Sequence, residues 1–189
     1  MADYIVDYAS RSLAAFLERE AGFAESYIIN PDFDWDKKPD PDNPKKRIGR
    51  SLPYAGVILV QDSDQPFTMS ANILRHRTID YHIVILGTTY SEMVQKTSNM
   101  KQAIVSAVTP ITGGVGITLY DFAAASGSFY AQAGTMQVEL AATQYFGAAS
   151  QEEEGNRKYR SITPIMLSMF KDSTATLLEN KGRISLTDS

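Results

Sequence analysis

Cysteine is absent from this 189-residue chain. That one absence removes disulfides, thiolate catalysis and cysteine-based zinc sites together, while giving no positive evidence about compartment. Histidine is almost as scarce: His76 and His82 stand alone, so any histidine-based metal centre or triad must use one of them. His76 lies in RHR, where two arginines disfavour both a divalent cation and an imidazolium. His82 alternates with apolar neighbours, as a strand histidine does. No apolar run approaches the roughly 20 residues that cross a bilayer, so no membrane partner is expected. The stretch MADYIVDYASRSL lacks a basic region followed by an apolar one; it does not read as a secretory signal, and cytoplasmic assembly is the expectation. An excess of basic residues is missing too. The formal charge is -4, which argues against a general DNA-coating role, because phosphate affinity comes mainly from clustered Lys and Arg. There is no internal repeat and no low-complexity tract.

What is present suits one globular domain. Hydrophobic residues make up 43% and charged ones 21%, ordinary for a chain of this length with a real core. Ile5, Ala9, Leu13, Phe16 and Leu17 recur at helical spacing over residues 3–21, and Gly22 follows as a stop. Pro31, Pro39, Pro41, Pro44 and Pro53 then forbid a long helix or central strand, so a long exposed loop is expected, a candidate contact element. YAGVILVQD from Tyr54 is β-rich, QDSDQP is a turn signal, and a second strand is expected near Phe67 to Arg75. The next strand, about Thr78 to Gly87, sets Ile79, Tyr81, Ile83 and Ile85 on one face and Asp80, His82, Val84 and Leu86 on the other. Its inner half is apolar on both faces, as in a covered central strand.

Thr89 and Glu92 form a capping box, and Tyr90, Met93, Val94, Thr97, Met100, Ile104, Val105 and Val108 make a helical stripe ending at Pro110. GGVGITLYDF predicts a glycine-led turn into a short strand. Residues 135–146 alternate as a strand, and 160–170 read as its hairpin partner across QEEEGNRK, with Pro164 pushing that partner toward an edge or a bulge. The expected fold class is therefore α+β. A single domain, 1–170, has a mostly antiparallel sheet packed by an N-terminal helix and a central amphipathic helix. A Pro- and Asp-rich assembly loop occupies 31–53, and a C-terminal arm 171–189.

The motifs that carry chemistry fail one by one. Asp32, Asp34 and Asp36 open like a calcium loop, but its sixth place holds Lys37 in place of glycine and its twelfth Asn43 in place of glutamate. Ser126 has neither a nucleophile elbow nor an identified base. The glycines of ITGGVGITL lack the Lys-Ser/Thr of a phosphate loop and fit turns better. Glu152, Glu153 and Glu154 sit with Gly155 in a hairpin tip, where no burial or partner tunes a carboxylate for catalysis. No catalytic, cofactor or metal site is expected. The basic cluster Lys45, Lys46, Arg47 and Arg50, and the aromatics Phe33 and Trp35 beside Asp34 and Asp36, suit docking on a neighbouring protein. The alternative for Trp35 is a fold back onto its own domain.

The order of elements, with RTIDYHIVILG leading into an amphipathic helix, resembles the tail terminator (tail completion) proteins of long-tailed bacteriophages. The similarity covers most of the chain and is architectural. The resemblance implies a virion protein of the tail and neck, assembled in the bacterial cytoplasm, that forms a ring, a hexamer, on the last ring of the tail tube. It stops polymerisation there and presents a surface to the head connector, while genomic DNA passes through the lumen unbound. On that reading residues 31–47 form an assembly loop. Asp32, Asp34, Asp36, Asp40 and Asp42 face bases of a neighbour, with Phe33 and Trp35 as anchors. The rivals are another neck, connector or tube protein; a hydrolase or metal-dependent enzyme using His82, Glu139 or Asp121; and a nucleic-acid-binding module using Arg75, Arg77, Lys45 to Arg47 and Arg50.

Overall fold

The computed structural model describes residues 4–28, 37–43, 45–69, 72–109, 111, 113–126, 129–147 and 159–172. In chain order these give α1 (Tyr4–Glu20), β1 (Ser26–Ile28), β2 (Lys37–Pro39), β3 (Arg47–Gly49), β4 (Tyr54–Met69), β5 (Asn72–Gly87), α2 (Tyr90–Val108), β6 (Ile117–Ser126), β7 (Phe129–Leu140), β8 (Gln144–Phe146) and β9 (Tyr159–Asp172). The main sheet runs β1-β4-β5-β9-β7-β6, with β8 also on β9 and a separate β2-β3 ribbon. Every pairing is antiparallel except β1 on β4. The fold is a single α+β domain, a mainly antiparallel sheet with helices packed against it.

Helix α1 buries the predicted face, with Ala9, Leu13 and Leu17 wholly inaccessible. It ends where Gly22 adopts φ 69°, a left-handed conformation that a side chain disfavours. Helix α2 starts as its capping signal demands: the Glu92 N–H donates to the Thr89 hydroxyl at 3.1 Å, and the Thr88 N–H donates to the Glu92 carboxylate at 2.8 Å. Met93, Thr97, Met100 and Ile104 form its buried face. Tyr90 and Val105, expected in that stripe, are 52% and 50% exposed.

Strand β5 organises the core. Ile79, Tyr81, Ile83 and Ile85 are all inaccessible and meet the helices, each contributing about 1.5–3 kcal/mol by burial. On the opposite face Val84 and Leu86 form a second cluster with Tyr54, joined by Leu52, Ile58 and Ile162. The covered central strand expected from the sequence is thus present.

Several expectations need correction. QDSDQP is no turn: β4 passes straight through it, from Tyr54 opposite Leu86 to Met69 opposite Asn72, with one register shift between Leu59 and Gln61. The strand expected near Phe67 to Arg75 is divided between the end of β4 and the start of β5, and the one expected over Thr78 to Gly87 is the rest of β5. Asp62 is held extended by Arg77 across the ladder, and this long-range tie overrides the local turn tendency of polar residues. The strand expected over 135–146 is split at 141–143. Pro164 lies in a central strand, opposite His82 on one side. On its other side, at that split, the Ala141 N–H donates to the Pro164 carbonyl at 3.0 Å. The donor that proline lacks therefore falls at the interruption, the bulge alternative rather than the edge. The strand after GGVG is longer than expected and pairs with β7, Ile117 opposite Met136. β9 continues through Lys171 and Asp172 into the segment expected as an arm; residues 173–189 lie outside the described residues.

Candidate assembly surface

The expected loop at 31–53 contains a small ribbon. Lys37 pairs with Gly49, Lys38 with Ile48 and Pro39 with Arg47. Its tip, 40–46, is closed by its own polar residues: the Asp42 N–H donates to Asp40 Oδ1 at 3.0 Å, and the Lys45 N–H to Asn43 Oδ1 at 3.3 Å. Asp and Asn favour this self-bonded geometry because a short side chain imitates a backbone turn. Asp40 thus helps to close the tip, while Asp42 is exposed.

At its base the ribbon is tied by side chains. Lys38 Nζ lies 2.7 Å from Glu25 Oε1, the Arg50 guanidinium stands 6.0 Å from the Tyr54 ring, and Leu52 joins the second apolar cluster. Among the described residues the ribbon otherwise packs against no helix or strand to any extent. Lys45 and Lys46 are exposed at the tip; Lys46 is 4.0 Å from Asp40, with its side chain 67% exposed, a separation at which a solvated pair adds little.

Of the predicted interface residues, Lys45 and Lys46 thus share the tip, Arg47 lies in β3 and Arg50 marks the base. Phe33, Asp34, Trp35 and Asp36 lie outside the described residues, as do Asp32, Glu152, Glu153 and Glu154. Arg77, a candidate nucleic-acid contact, is instead 6% exposed and ion-paired with Asp62, its Nε 2.8 Å from Oδ1. Arg75 and His76 pair with Pro66 and Gln65 in the β4–β5 ladder, and Asp121 pairs with Ala131 in β6–β7. Ser126 ends β6. The glycines of ITGGVGITL do form a turn: the Gly114 N–H returns to the Thr109 carbonyl at 3.1 Å and the Gly116 N–H to the Ala107 carbonyl at 2.9 Å.

The sheet also creates a hollow that no motif announced. Asp80 of β5 lies opposite Met166 of β9, which lies opposite Glu139 of β7; one step along, His82 lies opposite Pro164. With Val60, Leu140 and Ala141 these residues line a depression of about 320 Å³. His82 and Glu139, singled out separately in the sequence, are thereby brought together. Among the described residues no cluster of three His, Asp or Glu side chains is placed to hold a metal ion. Beneath the hollow, Tyr81 points into the core with its hydroxyl 3.0 Å from Ser10 Oγ, and burial pushes its pKa up to about 12. A larger cavity, about 780 Å³, lies between the C-terminal end of α1, α2 and the turn at 113–118.

No protein family and no curated protein matches the chain. Among solved structures it is similar to a chain of the "Virion of native gene transfer agent (GTA) particle", at 11% identity over 88% of this chain and 92% of that one, with a TM-score of 0.32. A likeness that loose carries no argument about function. No helix among the described residues is long and apolar enough to cross a membrane.

Proposed function

We propose that this chain is a structural virion protein, the tail terminator of a long-tailed phage. Its copies form a ring, a hexamer, that caps the tail tube, ends its polymerisation and offers a docking face to the head connector or neck protein. The role is one of assembly, without catalysis or a cofactor, and genomic DNA passes through the lumen unbound. The protein is assembled in the bacterial cytoplasm and resides in the tail and neck of the particle.

The observation that carries this reading is the ribbon at 37–49. It is tied at its base through Lys38 and Glu25, packs against no other helix or strand among the described residues and carries exposed Asp42, Lys45 and Lys46 at its tip. An element ordered yet not used by its own core suits contact with a neighbour, since little ordering entropy is lost on docking. A ring demands such head-to-tail contacts between two different surfaces of one chain. The element order that resembles tail terminators supports the same reading.

Electron microscopy of lysates from the parent phage lacking this gene tests it. Tails of uncontrolled length beside unjoined heads are expected. Normal-length tails left unattached identify a different neck protein, and intact infectious particles overturn the virion reading altogether.

A further inference from the structure

Both helices pack on one face of the sheet, through Ile79, Tyr81, Ile83 and Ile85. Among the described residues the opposite face is covered near Leu86, by Leu52, Tyr54 and Ile58. Beyond that patch comes the hollow of Asp80, His82, Glu139, Pro164 and Met166. Its rim is apolar at Val60, 52% exposed, and neither Asp80 nor Glu139 makes an ion pair among the described residues. The ribbon tip presents the ammonium groups of Lys45 and Lys46, both exposed, beside the exposed Asp42; Lys46 lies 4.0 Å from Asp40, and Lys45 makes no ion pair among the described residues.

We infer that the hollow on the sheet face away from the helices receives the Lys45–Lys46 tip of a second copy of this chain. The occupant follows from charge complementarity. Two carboxylates frame the hollow, while two exposed ammonium groups stand on a tied ribbon that packs against no other helix or strand among the described residues. Lysine stems lie along apolar surface while their charged ends reach an acceptor; here Val60 and Met166 offer the first and Asp80 and Glu139 the second. Tip and hollow are different surfaces, so the contact is heterologous and propagates head to tail, closing when the rotation per copy divides a full turn. Opposed charges fix the register of such a contact and speed its formation. This inference rests on the ring reading and names the contact that builds the ring.

Charge reversal tests it, read by native mass spectrometry of the purified chain at low salt and high protein concentration. Lys45→Glu with Lys46→Glu, and separately Asp80→Lys with Glu139→Lys, each lose the ring and leave monomer. Mixing the two variants restores rings of alternating copies, because each then offers the other a matching pair. Glu139→Lys alone, at an exposed position, weakens the ring without threatening the fold and guards against misfolding at Asp80. Rings that persist in both reversed variants overturn the tip-to-hollow contact and leave the ring reading standing. Loss in each variant without rescue on mixing overturns the contact as well. A wild-type chain that forms no ring overturns both.

Discussion

Arg77 of β5 reaches across the ladder to Asp62 of β4, Nε 2.8 Å from Oδ1, and closes the far end of the core with a buried cation. The pair holds QDSDQP extended. Asp62→Ala leaves that cation without its carboxylate and costs about 2 kcal/mol, at the lower end for a buried pair because Asp62 is partly solvated. Urea denaturation measures the loss. An unchanged midpoint identifies another counter-charge as the one that holds Arg77.

A second buried contact joins helix to sheet: the Thr97 and Ser161 hydroxyls lie 2.6 Å apart, and Thr97 also donates to the Met93 carbonyl at 2.7 Å. Thr97→Val strands the Ser161 hydroxyl and destabilises by about 1–2 kcal/mol. Adding Ser161→Ala recovers part of that loss, since no polar group is then left unmet. A double-mutant cycle checks the sign of the coupling; strict additivity of the two losses refutes it.

Stability falls at alkaline pH through Tyr81. Burial disfavours the phenolate, raising its pKa in the folded state from 10.0 to about 12. The unfolded chain therefore loses this proton first. The contribution is fully present below pH 10, declines as the pH rises and is lost through the folded pKa near 12. Tyrosinate absorbance of the folded protein should show one phenol still protonated near pH 11. In Tyr81→Phe the alkaline slope of stability should flatten, and an unaltered slope assigns it to other groups.

The turn after α2 depends on missing side chains. A Cβ at Gly114 runs into the Ala107 carbonyl oxygen; one at Gly116, where φ is 116°, comes within 2.5 Å of the Met136 carbonyl oxygen. Alanine at either position costs about 1–3 kcal/mol. Thermal melting of both variants checks this, and wild-type melting at Gly114→Ala means that the turn shifts without strain.

For assembly, Trp35→Ala is expected to weaken ring formation while melting and circular dichroism stay as in the wild type. A cooperative loss of structure in that variant makes Trp35 part of the core instead of a contact.

Patterns with a local cause were legible in the sequence. The alternation from Ile79 to Ile85, the Thr89–Glu92 cap and the stop at Gly22 are each set by neighbours in the chain, and each stands in the fold. Misreadings came where distant partners decide. The turn tendency of QDSDQP yields to Arg77, while Pro164 takes the bulge alternative at the gap between β7 and β8. Tip residues Lys45 and Lys46 were visible as a basic cluster. The hollow was not, because Asp80 and Glu139 become neighbours only through the register of β5, β9 and β7.

Helix α1 is fastened by partners made much later: Ser10 meets Tyr81 of β5, and the Ser12 hydroxyl accepts the Tyr120 N–H of β6 at 2.9 Å. A helix made before β5 and β6 is thus among the last elements whose apolar side can be covered. Until β6 has been synthesised, Leu13 and Leu17 lack their full complement of neighbours, and the nascent chain presents a greasy stripe to chaperones and to other chains. That interval, beside the stability of the finished domain, sets the chain's exposure to aggregation.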